Sequence, residues 1–177
     1  SLQELQARQV PLPHREYSIA SVPGEGTLQL LVREQHGPEG QPGLGSGWLT
    51  RWAEVGGDID LRIRRNPTFH APDTATPLIL IGNGTGIAGL RAHLAARSEA
   101  EASSNWLLFG ERQAAHDLHF GDDLRRWQAN GLLDHLDLAF SRDSDDGGYV
   151  QDLVLAEAER IREWISRGAA IYVCGSL

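Results

Sequence analysis

The fold is decided by the stretch Pro77–Leu78–Ile79–Leu80–Ile81–Gly82–Asn83–Gly84–Thr85–Gly86–Ile87–Ala88–Gly89–Leu90, in which an apolar run ends in alternating glycines. A short apolar run bounded by proline and glycine predicts a buried strand. The glycines leave the backbone N–H groups of the turn uncovered by side chains, and a helical pattern follows up to Arg97. Because a helix N-terminus carries partial positive charge, this arrangement predicts a site for an anion, most often a pyrophosphate.

From this stretch onward, the chain alternates between strand and helix patterns. The predicted order is strand 78–82, helix 87–97, strand 105–110, helix 115–129, strand 136–140, helix 150–167 and strand 170–174. Such alternation is typical of a parallel sheet whose strands are joined by crossover helices. Residues 73–177 are therefore predicted to form an open parallel α/β unit.

The residues before this unit favour antiparallel β structure. Strands 17–21 and 27–33 flank a turn of proline and glycine, so we predict a hairpin. Residues 58–64 alternate between apolar and charged side chains, which predicts a half-buried antiparallel strand. Between the hairpin and strand 58–64, a glycine-rich loop leads into a short helix that we predict at 48–53. Residues 1–72 are thus predicted to form a separate, small β unit.

The composition is that of an ordinary globular protein, with 41% apolar and 23% charged residues among 177. The net charge of −8 argues against general nucleic-acid binding, and no apolar run approaches the ~18 residues of a membrane span. The single cysteine, Cys174, excludes an intrachain disulfide and fits a reducing compartment. We expect a cytoplasmic location, although the cysteine count alone leaves an exported location open. The chain contains no methionine and stops just after a predicted strand, which suggests a piece of a longer protein.

Ligands of an open parallel sheet bind outside the carboxyl ends of its strands. Four predicted strand ends carry glycines or polar residues: 82–86, 110–112, 141–142 and 174–176. The glycine turn alone is a weak indication of a dinucleotide, and the four ends together make the indication stronger.

The same strand ends bear on which dinucleotide is bound. Glu111 lies near the position where an acid usually holds the adenosine ribose. Arg112 is adjacent, while Ser141 and Arg142 close the next strand, and a hydroxyl beside a guanidinium suits a 2′-phosphate. The alternative interpretation is that Ser141 caps a loop and Arg142 is solvated.

The β unit contains two candidate sites of its own. Arg15, Tyr17 and Ser18 combine a cation, an aromatic ring and a hydroxyl, so a flat aromatic ligand can stack on Tyr17 while Arg15 holds a phosphate. Alternatively, Arg15 begins a strand and Tyr17 packs against the core. The loop with Gly45 and Ser46 leads into a short helix and is either a second anion cradle or a plain surface loop.

In this order, the motifs resemble those of the ferredoxin–NADP reductase superfamily, and within it the diflavin reductase branch, which includes cytochrome P450 reductase and the flavoprotein subunit of sulfite reductase. The matching segments are 15–21, 43–49, 81–88, 109–112, 140–142, 149–151 and 172–175. The resemblance implies a truncated, antiparallel FAD-binding β-barrel in residues 1–72. It also implies an NADP(H)-binding α/β domain in residues 73–177, with its C-terminal end missing.

The resemblance implies a role for each candidate residue. Arg15 is expected to contact a phosphate of FAD, Tyr17 the isoalloxazine and Ser18 the region of flavin N5. Gly45 and Ser46 are expected to contact the FAD pyrophosphate. The NADPH pyrophosphate is expected to contact Gly84, Thr85 and Gly86. The residues expected around its 2′-phosphate and adenosine are Arg112, Ser141, Arg142, Tyr149 and Gln151. Cys174 is expected to contact the nicotinamide. Ser18 and Cys174 are the residues expected to assist hydride transfer. Two positions depart from the pattern, because Gly147 stands where many relatives have lysine and Ser176 where many have an acid.

The implied function is an FAD-dependent NADPH oxidoreductase that passes single electrons to a flavin, iron–sulfur or haem acceptor in another protein or domain. FMN is expected only in a domain outside this chain, as is any membrane attachment. The alternative is a non-catalytic nucleotide-binding module with a reductase-like fold. A nucleotide hydrolase is disfavoured because the glycine turn lacks the Gly-Lys-Ser/Thr ending of a phosphate-binding loop. No metal site is predicted.

Overall fold

Four parallel strands form the centre of the computed structural model, which describes residues 13–143 and 148–175. They are β1 (Leu78–Asn83), β2 (Asn105–Glu111), β3 (Leu133–Phe140) and β4 (Ala170–Cys174), in the spatial order β3-β2-β1-β4. The prediction of an open parallel α/β sheet is confirmed. Gly82 pairs in register with Cys174, and Asn83 pairs with Gly110, so the segments that leave these strands meet at one edge of the sheet.

Strand β1 lies inside the sheet and is apolar on both faces. Leu78 and Leu80 belong to the same core cluster as Phe109 of β2, and Ile79 belongs to a second cluster with Trp106 on the opposite face. All five side chains are fully buried. Two-sided burial explains why the β1 sequence is a continuous apolar run rather than an alternating one.

Six helices accompany the sheet in the described ranges: α1 (Leu44–Gly47), α2 (Ile87–Glu99), α3 (Ala114–Asp117), α4 (Gly121–Ala129), α5 (Val150–Ala156) and α6 (Ala158–Ser166). The predicted helix 87–97 is confirmed as α2, but the predicted helices 115–129 and 150–167 are each divided in two. Phe120 separates α3 from α4 with a left-handed φ of 59°, which a continuous right-handed helix does not allow. Glu157 separates α5 from α6. None of these helices is long and apolar enough to cross a membrane.

The N-terminal residues form less regular structure than predicted. The hairpin is present as one antiparallel bridge between Ile19 and Leu30, supported by a 2.8 Å hydrogen bond from the Ala20 amide to the Gln29 carbonyl. The predicted helix 48–53 is present as a π-helical turn, Trp48–Trp52, that directly follows α1.

The predicted strand 58–64 is wrong for the described part of the chain, where this segment pairs with no other strand. Its apolar side chains Ile59, Leu61 and Ile63 remain 45%, 56% and 68% exposed. An alternating sequence becomes a strand only when a neighbouring strand accepts and donates its backbone hydrogen bonds. Residues 13–72 consequently form no barrel sheet, and the boundary at residues 72 and 73 stays a prediction.

A buried arginine joins the hairpin to the sheet unit. Arg91 of α2 is only 4% exposed, and its guanidinium binds Glu25 of the hairpin turn and Asp123 of α4, with N–O distances of 2.6 and 2.9 Å. It also donates a 3.0 Å hydrogen bond to the Ala20 carbonyl and lies 5.4 Å from the ring centroid of Phe120. The left-handed break at Phe120 is therefore packed beside this ion-pair network.

Candidate functional site

The turn between β1 and α2 lies at the carboxyl edge of the sheet and favours glycine at two positions, one for its backbone conformation and one for lack of space. Residues Gly84–Gly86 form a single 3₁₀ turn that runs directly into α2. Gly84 has a φ of 57°, a left-handed conformation that favours glycine. A Cβ at Gly86 would overlap the carbonyl oxygen of Cys174 at the end of β4. The glycines therefore keep the turn bare and hold it against β4.

This turn has the chemistry of an anion cradle. The N-cap position of α2 is Gly86, which has no side chain to accept a hydrogen bond from the first-turn amides. Those amides carry the positive end of the helix dipole. Gly84, Thr85 and Gly86 thus lie where the sequence predicts them, and the donors of this segment fit a pyrophosphate.

The ends of β2 and β3 bring together the three residues predicted to meet a 2′-phosphate. The Ser141 amide donates a 2.9 Å hydrogen bond to the Glu111 carbonyl, and the Arg142 amide donates a 2.8 Å hydrogen bond to the Arg112 carbonyl. This backbone pairing continues past the strands and sets Arg112 beside Ser141 and Arg142. Both arginine residues are exposed, so the backbone pairing brings two arginines and a serine to the same edge, and their side chains are donors that fit a phosphate.

Glu111 is not placed as the free ribose-binding acid that its position suggests. Its side chain is 2% exposed and forms an ion pair with Arg33 from the N-terminal half of the chain. Its other oxygen, Oε2, accepts a 2.9 Å hydrogen bond from the Arg112 amide. No sequence motif singled out Arg33, since it lies in an unremarkable predicted strand.

The segment predicted to contact the adenosine begins α5 beside the same edge. Tyr149 precedes the helix, is 57% exposed, and donates its backbone amide to Asp152 over 2.8 Å. A Cβ at Gly110 would lie 3.1 Å from Cβ of Val150, so the glycine lets α5 start directly against the end of β2. Gln151 follows in the exposed first turn. Gly147 and Ser176, the two departures from the family pattern, lie outside the described residues.

Cys174 ends β4 and lies between the glycine turn and α2. Its Sγ is 3.7 Å from the point where a Cβ on Gly89 would lie. Burial raises the pKa of the Cys174 thiol, so the group is a neutral thiol near pH 7. A half-buried neutral thiol at this edge can contact a planar ring without bringing a charge to it.

The two N-terminal candidate segments lie against each other. A Cβ at Gly45 would lie 2.8 Å from Cγ of Arg15 and 3.0 Å from the Tyr17 hydroxyl oxygen. Ser46 is buried, and its Oγ accepts a 2.9 Å hydrogen bond from the Gln35 amide, which fixes the position of the hydroxyl. The structure therefore brings Arg15, Tyr17 and Gly45 into one place, as a shared ligand requires.

A cavity of about 680 Å³ separates this N-terminal cluster from α2. Its lining includes Tyr17, Ser18 and Trp48 on one side and Phe69 and Gly89 on the other. This volume lies within the range of small-molecule sites, and aromatic walls suit a flat ring system. The cavity reaches Gly89, the residue that Cys174 also approaches, so the predicted flavin and nicotinamide positions share a wall.

His93 of α2 also lines this cavity and was not among the predicted site residues. Its ring centroid lies 4.8 Å from that of Phe69 and 4.8 Å from that of Tyr172, and its Nε2 is buried with no hydrogen-bond partner in the described residues. Burial lowers the pKa of His93, so the ring is neutral at physiological pH. The sequence did not single out His93, because it lies on a predicted helix at a position that is typical of core packing.

Comparison with known proteins gives matches along nearly the whole chain. A protein family described as "Oxidoreductase NAD-binding domain" matches residues 80–177. The sulfite reductase [NADPH] flavoprotein alpha-component of Vibrio parahaemolyticus is 38% identical over 171 residues, which cover 93% of this chain and 27% of that protein. The proteins of the same description from Yersinia enterocolitica and from Neisseria meningitidis serogroup B are 40% and 36% identical over 172 residues, covering 93% of this chain and 29% and 28% of theirs. The chain spans less than a third of the length of these relatives.

Proposed function

This chain belongs to the family of oxidoreductase NAD-binding domains and is similar to flavoprotein components of NADPH sulfite reductase, and from that premise we propose that it binds NADPH within an FAD-dependent oxidoreductase. When bound, NADPH supplies a hydride to FAD, from which electrons leave singly to a flavin, iron–sulfur or haem acceptor in another protein or domain. A cytoplasmic location, and FMN in a domain outside this chain, are part of the same proposal.

The observation that carries the proposal is the carboxyl edge of the sheet. One edge combines the bare turn of Gly84–Gly86, the start of α2, and the exposed guanidinium groups of Arg112 and Arg142. A pyrophosphate suits the first two features, and a 2′-phosphate suits the arginines. A ligand that carries both groups is a phosphorylated dinucleotide.

Each residue at the edge contributes binding or orientation. Gly84, Thr85 and Gly86 present backbone amides to the pyrophosphate, while Ser141 and Arg142 hold the 2′-phosphate. Tyr149 and Gln151 flank the adenosine from the start of α5. These contacts position the far end of the ligand, and positioning is the main contribution of a protein to cofactor chemistry.

On the N-terminal side, the same proposal assigns FAD to the cluster around the cavity. Arg15 faces a phosphate, Tyr17 and the aromatic walls of the cavity hold the flat ring, and Ser18 lies near its reactive nitrogen. Gly45 and Ser46, in the short helix α1, are assigned to the FAD pyrophosphate. Cys174 lies beside the cavity wall at Gly89, which supports a role in placing the nicotinamide against the flavin.

The test is anaerobic addition of NADPH to the full-length protein that contains this chain. We expect the protein to be purified with FAD or to take it up, and the oxidised-flavin absorbance to bleach when NADPH is added. Steady-state reduction of ferricyanide or cytochrome c then demonstrates single-electron transfer. A colourless protein that takes up no FAD would refute the proposal, and binding of both cofactors without reduction would make the chain a nucleotide-binding module instead.

Replacing Cys174 with alanine is expected to slow hydride transfer by about tenfold, because misplacement of reacting atoms by ~1 Å can cost about 10²-fold. NADPH affinity should stay nearly unchanged, since the phosphates bind at other strand ends. Stopped-flow reduction of the flavin measures the rate, and calorimetry with NADP⁺ measures the affinity. Val173→Ala, in the same strand but 70% exposed, is the matched control. If the affinity collapses together with the rate, Cys174 has a structural role only.

A further inference from the structure

We propose that the ion pair between Arg33 and Glu111 determines dinucleotide selectivity by preventing Glu111 from binding the adenosine ribose of a dinucleotide that lacks the 2′-phosphate. The inference rests on the proposed function, because it concerns the same edge of the sheet. It adds a residue from the N-terminal half of the chain to the selectivity of the nucleotide site.

Glu111 occupies the position from which an acid recognises NAD in related architectures. It is the last residue of β2, the strand adjacent to β1, and its Oε1 lies 3.6 Å from the point where a Cβ on Gly84 would lie. In open nucleotide-binding sheets, an acid at this strand end accepts hydrogen bonds from the ribose hydroxyls. A free carboxylate here therefore favours NADH and repels a 2′-phosphate.

Both oxygens of this carboxylate are engaged. Oε1 faces Nη2 of Arg33, and Oε2 accepts the 2.9 Å hydrogen bond from the Arg112 amide. With 2% of its side chain exposed, Glu111 presents almost no surface to a ribose hydroxyl, and turning outward would break these two contacts. The acid that would select NADH is thus bound and its charge balanced.

Arg33 itself lies beside the glycine turn. Its Nη1 is 3.4 Å from the Cβ position of Gly84, and 35% of its side chain is exposed. Together with the exposed side chains of Arg112 and Arg142, it gives this edge of the sheet three arginines. Loss of Arg33 would leave a buried carboxylate without a counter-charge next to the site for two phosphate groups.

A purely architectural ion pair makes a different prediction. Arg33 and Glu111 are 78 positions apart, so their contact also ties the N-terminal half to the sheet. If this tie were its whole purpose, losing it would weaken NADP⁺ and NAD⁺ binding by the same factor. Selectivity requires that the ratio of the two affinities changes.

The experiment measures binding of NADP⁺ and NAD⁺ to the full-length protein by calorimetry, for the wild type, Arg33→Met, Glu111→Gln and the double variant. In Arg33→Met, we expect the preference for NADP⁺ over NAD⁺ to fall by about tenfold. The double variant should recover the wild-type preference because the unpaired charge is gone. Arg125→Met, which removes an exposed arginine paired with Asp122 on α4, should change neither affinity.

Equal loss of both affinities in Arg33→Met, or no recovery in the double variant, would overturn the inference. If Arg33→Met does not fold, Glu111→Gln still tests the proposal, because it removes the acid while keeping its shape. This variant should retain or raise the preference for NADP⁺ over NAD⁺. A lowered preference would refute the proposal. A wild-type protein that binds neither dinucleotide would instead refute the proposed function.

Discussion

Replacing Arg91 with methionine is expected to lower the free energy of unfolding by about 3–5 kcal/mol, because removing one partner of a buried ion pair leaves the other charge uncompensated. Arg91 is 4% exposed and serves two acids, Glu25 and Asp123. Methionine keeps the apolar packing against the neighbouring aromatic rings, so the change isolates the loss of the charge and its hydrogen bonds. Urea unfolding of both proteins measures the difference.

The matched control is Arg126→Met. Arg126 pairs with the same Asp123 from one turn away on α4, but its side chain is 60% exposed. Exposed pairs of this kind contribute at most about 1 kcal/mol, so this variant should stay close to the wild type. Similar losses in the two variants would mean that Arg91 does not link the hairpin to the sheet in the way its burial indicates.

The same contact has a pH signature. The hydrogen bond from Arg91 lowers the pKa of Glu25 below its usual value of 4.5. A carboxyl group with a lowered pKa stabilises the folded state at pH values above 4.5, and this contribution is lost as the pH falls through the lower folded-state value. The part of the acid destabilisation that comes from Glu25 should therefore be smaller in Arg91→Met, which a series of unfolding curves below pH 5 would show.

Replacing Arg142 with alanine is expected to raise the Kd for NADPH by about 10- to 100-fold, because a charge-assisted hydrogen bond to a phosphate contributes about 1.5–3 kcal/mol. NADH lacks the 2′-phosphate, so its affinity should change by no more than about twofold. Binding of both dinucleotides to the full-length protein, followed by their kcat/KM values, measures the difference.

Arg167→Ala is the control for this experiment. Arg167 follows α6 just before β4 begins, 5.4 Å from the Trp164 ring centroid, and so lies toward the amino edge of the sheet, away from the nucleotide site. It should leave both affinities unchanged. Parallel losses for NADPH and NADH in Arg142→Ala would assign that residue to a part of the ligand that the two share, and the 2′-phosphate assignment would be wrong.

Much of the sheet unit could be predicted because its signals are local. The apolar run of β1, the glycine turn and the start of α2 are contiguous in sequence, and burial and backbone geometry impose that pattern directly. The relatives confirm the resemblance to diflavin reductases that the order of motifs predicts. The roles of the individual site residues, from Arg15 to Cys174, stay predictions that the proposed variants test.

The wrong predictions share a physical cause, which is that they depend on a neighbour. Residues 58–64 have the alternation of a strand, but in the described residues no second strand supplies hydrogen bonds to them. The helix predicted over 115–129 is interrupted at Phe120, where packing beside Arg91 outweighs helical propensity. Periodicity reports which face of a segment is apolar, not what the segment packs against.

The sequence by itself determined the parallel α/β unit, the bare turn after β1 and the family, because these depend on residues close together in the chain. Only the tertiary structure decided that Arg33 engages Glu111 and that Arg91 joins Glu25 to Asp123. It also decided that the glycine turn rests on the carbonyl of Cys174. These contacts join residues that are far apart in sequence. No local pattern predicts them, because the residues come into contact only when the chain folds.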